Sequence, residues 1–220
     1  GNHERRVESI TYLFDTPVDV YFAFPVGGEL LRYYVLNSQI PATGPQETWL
    51  DADLAKHSPS VTHLVAGYHK PMRPHVSAKS EGTNPMNWAD NFHRHGVDLV
   101  LESDSHVMKR TLPLRPDPKG PEGFSAAPDD PKATVYIGEG CWGAPLRAAD
   151  DGKPWTIDCA SFNGFDWIHV GPEGIQVKTV KVEGHARIDA VDEDALFSEP
   201  DGLTLWEPNG GVVLSIPADR

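Results

Sequence analysis

The sequence predicts a layered α/β fold built around a parallel sheet, on three observations. Helical and strand patterns alternate from Pro45 to Ser103, in the order helix, strand, helix, strand, which favours parallel strands covered by helices. The two strand patterns, at 61–67 and 97–101, are nearly continuous apolar runs, as expected of strands buried on both faces. A chain of 220 residues is long enough for one sizeable core, or for part of a larger domain.

The first part of the chain predicts a β-hairpin followed by a helix. Aromatic and β-branched runs at 21–26 and 30–36 surround a Gly-Gly turn, which is a hairpin pattern. The capping-box spacing from Thr43 to Gln46, which contains Pro45, predicts the start of the helix. Three apolar residues form its expected inward stripe: Trp49, Leu50 and Leu54.

A second helix and a series of short strands complete the expected elements. Asn84-Pro85 begins this helix and Gly96 ends it. After His106 the pattern changes to short strand candidates separated by Gly and Pro turns: 107–114, 134–137, 165–170, 175–182 and 212–216. The segment 116–131, rich in Pro, Gly and Asp, predicts a surface loop.

Composition limits the partners that the chain can have. The net charge of -13 argues against a nucleic-acid backbone, and no apolar stretch approaches the length of a membrane span. The segment 183–220 alone holds nine acidic and two basic residues, so an anion site elsewhere needs local neutralisation by metal, Lys or Arg. Two cysteines, Cys141 and Cys159, are too few for a Cys-based zinc site; they form one bridge or are both reduced.

Polar side chains that suit a metal ion follow both buried strands. His69 follows the first strand, and Asp104 and His106 follow the second. Because the carboxyl ends of parallel strands meet at one edge of a sheet, we expect these side chains to converge. Asn2 and His3 add an amide oxygen and an imidazole. This mixture of oxygen and nitrogen donors suits Zn, Mn or Fe(II) better than Ca or Mg. The alternative interpretation is a solvated turn at 103–106 and a disordered amino terminus.

Three segments resemble the last three motifs of the calcineurin-like metallophosphoesterases, near the purple acid phosphatases: Gly1-Asn2-His3-Glu4, 65–71 and 102–106. Their order and spacing match, and 140–147 and the hairpin at 162–182 look like the closing strands of bacterial members. The resemblance implies an α/β/β/α sandwich, of which residues 1–182 form the carboxyl-terminal half. Residues 183–220 would then be an acidic extension.

What the resemblance implies is a phosphoester hydrolase with two metal ions, of Fe, Mn or Zn. Asn2, His69 and Asp104 would bind one ion, and His106 would bind the other. A hydroxide held by the metals would attack phosphorus in line, in a small phosphate monoester or diester.

The resemblance also implies roles outside the metal ligands. His3 would lie beside the leaving group, where it stabilises the transition state or donates a proton. Arg73 and His75 are candidates for substrate binding; His75 is alternatively a supporting residue behind the site or a plain loop histidine. A periplasmic or secreted location is the family's usual one.

Two departures from the family pattern qualify this interpretation. The first two motifs, which carry the bridging aspartate, are missing, so we expect a carboxyl-terminal part of a longer enzyme that is inactive in isolation. Asp104 stands where the family has a histidine, which replaces a neutral nitrogen ligand with an anionic oxygen. The alternatives are a degenerate, metal-free binding module, or a cupin-like or sandwich β protein with an incidental His cluster. The last of these would lack the strand–helix alternation.

Overall fold

The fold combines a seven-stranded mixed sheet, a four-stranded antiparallel sheet and a separate two-stranded hairpin. The computed structural model describes residues 7–17, 19–79, 86–150, 152–182 and 203–218. Among these residues, no helix has both the length and the apolar character needed to cross a membrane.

The elements of the described residues follow in chain order, with one short 3-10 helix at Pro121–Gly123: α1 (Val7–Phe14), β1 (Phe22–Val26), β2 (Leu31–Val35), α2 (Pro45–His57), β3 (His63–Gly67), α3 (Met86–His95), β4 (Leu99–Glu102), β5 (Met108–Thr111), β6 (Leu114–Pro116), β7 (Phe124–Ala126), β8 (Val135–Gly138), β9 (Thr156–Ala160), β10 (Gly164–Gly171), β11 (Gly174–Val182), β12 (Leu203–Leu205) and β13 (Val213–Pro217).

The large sheet has the strand order β1-β2-β3-β4-β8-β5-β9. Its centre is parallel: Tyr33 of β2 pairs with Val65 of β3, Val65 with Leu99 of β4, and Leu99 with Val135 of β8. The flanking strands β1, β5 and β9 run antiparallel to their neighbours. The predicted hairpin and parallel core are therefore confirmed, and the carboxyl ends of β3, β4 and β8 meet at one edge.

Almost every position in the central strands β3 and β4 is apolar because both faces of the large sheet are covered. On one face, Leu64 and Val100 pack into a core with residues of α2 and α3 such as Leu50 and Trp88. On the other face, side chains of both sheets form one cluster: Leu31, Val65, Leu99, Val135, Ile137, Ile175, Val177 and Ile216. The layers therefore run helices, large sheet, second sheet, in agreement with the predicted α/β class.

The helix boundaries that fall within the described residues agree with the predictions, but the predicted capping box is wrong. The predicted start of the second helix, Asn84-Pro85, lies outside the described residues. Helix α2 begins at Pro45, yet its N-cap is Gly44, which makes no side-chain cap hydrogen bond. The Gln46 side chain instead accepts a hydrogen bond from the Asn37 backbone N–H at 2.8 Å and donates to the Asn37 carbonyl at 3.1 Å. Helix α3 ends at His95, and Gly96 follows with a φ of 70°, which glycine adopts without strain.

Several elements were not predicted. Helix α1 and strands β9 and β12 had no prediction, and the predicted loop 116–131 contains β7, which pairs with β6. Strand β7 forms because Phe124 is buried against the rings of Tyr136 and Trp155. The predicted strand at 212–216 appears as β13, and β12 and β13 both pair with β11. Residues 203–218 of the acidic extension thus complete the second sheet.

Candidate functional site

The candidate site lies at the carboxyl edge of the large sheet. His69 follows β3, Asp104 follows β4 and Glu139 follows β8 directly. A cleft of about 500 Å³ opens at this edge, and its lining includes Tyr33 and His69. In α/β sheets, the carboxyl ends of the strands are the usual place for ligands.

The structure brings together two of the predicted metal ligands. The Nε2 atom of His69 lies 3.3 Å from Oδ1 of Asp104, and the other carboxylate oxygen of Asp104, Oδ2, forms an ion pair with Lys79. Two donors that each bind one ion at about 2.1 Å lie roughly 3.0–3.4 Å apart, so this pair fits a shared metal ion. Asn2 and His3 lie outside the described residues. Within the described ranges, no group of three or more His, Cys, Asp or Glu side chains is arranged to hold a metal.

His106 is oriented by the loop 140–147. Its Nδ1 atom lies 2.7 Å from the carbonyl oxygen of Pro145. Because a carbonyl can only accept, Nδ1 carries the hydrogen, and the lone pair of Nε2 is left for a ligand or a proton. Metal-binding histidines are commonly fixed in this way. The ring is thus held by this loop and not by the His69–Asp104 pair.

The backbone at this edge is strained. Asp104, His106 and Glu139 have φ values of 69°, 61° and 97°, in the left-handed region that side chains other than glycine rarely adopt. The turn is closed by hydrogen bonds from the Ser105 N–H to the Ser103 carbonyl at 2.9 Å and from the His106 N–H to the Glu139 carbonyl at 2.8 Å. Residues with such conformations concentrate at functional sites.

A buried cluster of charges lies at the ends of β4, β5 and β8. The ammonium of Lys109 donates to Glu102 at 2.5 Å and forms an ion pair with Glu139 at 2.7 Å. Burial by itself would raise the pKa of the Glu139 carboxyl, but Lys109 and His75 outweigh it and lower the pKa to about 2. Burial would likewise lower the pKa of Lys109, but the two carboxylates raise it to about 12. Lys109 and Glu139 are therefore both ionised at neutral pH.

In the structure, the two predicted substrate-binding residues, Arg73 and His75, are both bound to other groups of the protein. His75 is fully buried: its Nδ1 atom lies 3.1 Å from Glu139 and its Nε2 atom lies 2.7 Å from the Thr156 hydroxyl. Burial lowers the pKa of His75. Arg73 donates from Nε to the Glu122 carbonyl at 2.6 Å. Substrate contact by His75 is therefore not supported, since both ring nitrogens have protein partners; the supporting role behind the site fits instead.

Comparison with known proteins gives a match at the level of the fold. No family model matches the chain, and no curated protein matches its sequence. The purple acid phosphatase PPD1 from yellow lupin (Lupinus luteus) seeds matches with a TM-score of 0.60 at 13% identity, over 74% of this chain and 30% of that one. The structure of PhoD matches with a TM-score of 0.53 at 13% identity, over 89% and 43%. The chain has a metallophosphoesterase-type fold.

A third match to this fold is GAP50, described as the anchor in the inner membrane complex of Plasmodium, with a TM-score of 0.52 at 13% identity over 73% of this chain and 49% of that one. The chain spans less than half the length of each of these three structures. At such low identity, the likeness concerns the metallophosphoesterase-type fold alone.

Within this fold, the structure shows residues that the motif analysis did not single out. Glu102 accepts hydrogen bonds from the Tyr68 hydroxyl at 2.6 Å and from the Met72 N–H at 2.7 Å, so it holds the loop that carries His69. A sequence signal was present for Glu102, which is a charged residue at the end of an apolar strand pattern, whereas Lys109 lies inside the predicted strand 107–114. Cys141 and Cys159, whose state was open, are not joined by a disulfide in the part of the chain that the structure describes.

Proposed function

We propose that this chain is the carboxyl-terminal part of the catalytic domain of a metal-dependent phosphoesterase. The observation that carries this proposal is the 3.3 Å approach of His69 Nε2 to Asp104 Oδ1. It occurs at the carboxyl edge of the sheet, on a fold that purple acid phosphatase and PhoD share. Two donors from separate strands that meet at a strained turn are what a site for a metal ion needs.

The residues of this chain would divide between two ions. His69 and Asp104, with Asn2, would hold one ion, and His106 would contribute Nε2 to the other. The ions, of Fe, Mn or Zn, would supply Lewis-acid neutralisation of charge on the phosphoryl oxygens and a nucleophile at neutral pH. The Pro145 carbonyl keeps His106 in the tautomer that this role requires.

Two side chains would act on the substrate, a small phosphate monoester or diester. His3 would lie beside the leaving oxygen and transfer a proton to it, since imidazole is the side chain suited to this near neutral pH. The negative charge of Asp104 repels a doubly charged monoester more than a singly charged diester. We therefore propose that diesters are the better substrates.

A second candidate is a metal-free binding module with the same fold. The observation that favours it is the ion pair between Lys79 and Asp104, because an ammonium group already balances the carboxylate that would bind a metal. In this alternative, the Lys79 ammonium stays on Asp104 in the presence of metal salts, and no hydrolysis takes place.

Metal content and hydrolysis, measured together on the full-length protein, distinguish the two functions. The substrates are p-nitrophenyl phosphate and its bis ester, with Mn, Zn or Fe added. We expect metal-dependent hydrolysis that Asp104→Ala abolishes together with metal binding at one position. Asp129→Ala, which removes an exposed carboxylate, is the matched control and should change neither quantity. A full-length protein that binds no metal and hydrolyses neither ester would support the metal-free module.

A further inference from the structure

The loop 140–147 is bound to the turn that carries Asp104 and His106. The Pro145 carbonyl accepts from His106 Nδ1 at 2.7 Å. The Arg147 N–H donates to the His106 carbonyl at 3.4 Å, and Arg147 Nη1 donates to the Asp104 carbonyl at 2.7 Å. These three hydrogen bonds place the guanidinium of Arg147 against the backbone of the candidate site.

The charge of Arg147 is used differently from that of Arg32 and Arg94. Arg32 lies 2.6 Å from the carboxylate of Asp53, and Arg94 lies 2.7 Å from that of Asp51. Arg147 instead donates to a neutral carbonyl, and within the described residues no carboxylate forms an ion pair with it. A chain with a net charge of -13 thus keeps a guanidinium without a described counter-charge at the edge where an anion would bind.

We propose that Arg147 binds a phosphoryl oxygen of the substrate, an assignment that rests on the proposed phosphoesterase function. A guanidinium has five N–H donors in a planar fork that matches the oxygens of a phosphate group. The hydrogen bond from Nη1 to the Asp104 carbonyl holds the guanidinium at this edge, and the donors on Nε and Nη2 would bind oxygens of the anion. Because the side chain is already ordered, little conformational entropy is lost when phosphate binds.

Arg147 also differs in kind from the candidate metal ligands. A guanidinium is always protonated in proteins, so it cannot bind a metal ion and can only attract an anion. It would hold the phosphoryl group from the side of the loop, while the ligands on the strand ends face it from the sheet. The competing explanation is that Arg147 only closes the turn at Asp104, in which case its loss would affect stability or metal content and not anion affinity.

The test compares Arg147→Gln and Arg147→Lys in the metal-loaded, full-length protein. The matched control is Arg115→Gln on β6, an exposed arginine beside the amino end of β8. Four quantities are measured: the dissociation constant of inorganic phosphate by calorimetry, KM and kcat for bis(p-nitrophenyl) phosphate, the bound metal and the melting temperature.

We expect Arg147→Gln to weaken phosphate binding and raise KM by on the order of tenfold to a hundredfold, the value of a charged hydrogen bond. The metal content should be unchanged. Arg147→Lys should recover part of the affinity, because it keeps the charge but loses the fork. Arg115→Gln should leave both constants within about twofold of the wild type.

Phosphate affinity unchanged in Arg147→Gln would overturn the assignment, and a lowered melting temperature alone would show that Arg147 only closes the turn. If phosphate affinity is unchanged in Arg147→Gln while the wild-type protein hydrolyses the ester, the proposed phosphoesterase function still stands. A wild-type protein that binds phosphate but hydrolyses no ester would refute the proposed phosphoesterase function. The proposal that Arg147 binds phosphate would then still be tested by the phosphate affinity of the Arg147 variants. A wild-type protein that binds no phosphate would overturn the Arg147 assignment as well.

Discussion

Replacing Lys109 with methionine tests the buried charge cluster at the ends of β4, β5 and β8. Methionine is similar in length, so the change removes the charge and its N–H donors without leaving a large cavity. The ammonium of Lys109 is 2% exposed and lies 2.5 Å from Glu102 and 2.7 Å from Glu139. Removing one partner of a buried ion pair costs about 3–5 kcal/mol, because the remaining charge is uncompensated.

The loss should not be double that value, although two carboxylates lose their partner. Glu102 keeps the Tyr68 hydroxyl at 2.6 Å, and Glu139 keeps the N–H of His75 at 2.9 Å. We therefore expect the free energy of unfolding to fall by about 3–5 kcal/mol, out of the 5–15 kcal/mol typical of a domain.

The loss should depend on pH. With Lys109 in place, the pKa of Glu139 is about 2, below its ordinary value of 4.5, so its contribution is complete at neutral pH and is lost only as the pH falls toward 2. Without Lys109, burial raises the carboxyl pKa above the unfolded value, and the folded protein binds protons that the unfolded chain has released. Stability of the variant then falls as pH rises, so its deficit should be larger near pH 8 than near pH 5.

Urea denaturation at both pH values, followed by tryptophan fluorescence, measures the deficit. Lys119→Met, at an exposed turn, is the control and should change the free energy of unfolding by less than about 0.5 kcal/mol. Adding Glu102→Gln and Glu139→Gln to Lys109→Met should recover part of the loss, because no charge is then left uncompensated. A deficit under about 1 kcal/mol, or one that is equal at the two pH values, would refute the reasoning.

His3→Ala in the full-length protein should lower kcat by on the order of a hundredfold with metal content unchanged, as for one proton-transfer group; loss of metal, seen by elemental analysis, would make His3 a ligand. Asp104→His should shift metal preference from Mn or Fe(II) toward Zn in competition experiments, and an unchanged preference would mean that Asp104 is not a ligand. Burial opposes ionisation of Asp53, but the two hydrogen bonds from Arg32 and its positive charge hold the pKa of Asp53 below the ordinary value. Its stabilisation is therefore lost as pH falls through that lowered pKa, and Asp53→Asn should flatten the acid side of the melting-temperature profile; an unchanged profile would contradict the role of this pair.

The parallel core was predictable because its strands carry a local signal. Strands β3 and β4 lie between helices and a second sheet, so almost every position in them is apolar. Strand β9 has no such signal. Its residues Thr-Ile-Asp-Cys-Ala are not a continuous apolar run, and all five are half-buried, so buried and exposed positions do not alternate. Strand β7 exists because Phe124 enters the core, and a three-residue strand inside a Pro- and Gly-rich segment cannot be distinguished from a loop by composition.

The positions of candidate site residues were predictable where the residues directly follow strands, and they were not predictable where the residues lie further along a loop. His69 and Asp104 meet because neighbouring parallel strands end together. Arg73 and His75 follow a turn after Pro71, and spacing alone does not tell whether the chain then faces the cleft or the core. The His75 side chain is buried because the carboxylate of Glu139, which is distant in sequence, accepts hydrogen bonds from both the backbone N–H and the ring Nδ1 of His75. Whether the site binds metal stays a prediction.

The same buried ammonium that stabilises the core also connects the segments that carry the candidate ligands. Lys109 holds Glu102, which binds the Met72 N–H in the loop after His69. It also holds Glu139, whose carbonyl accepts the His106 N–H. Glu139 and His106 both have left-handed backbones, and we expect the charge cluster to help hold this strained edge in shape. A change at Lys109 should therefore alter the geometry of the candidate site without touching any of its ligands.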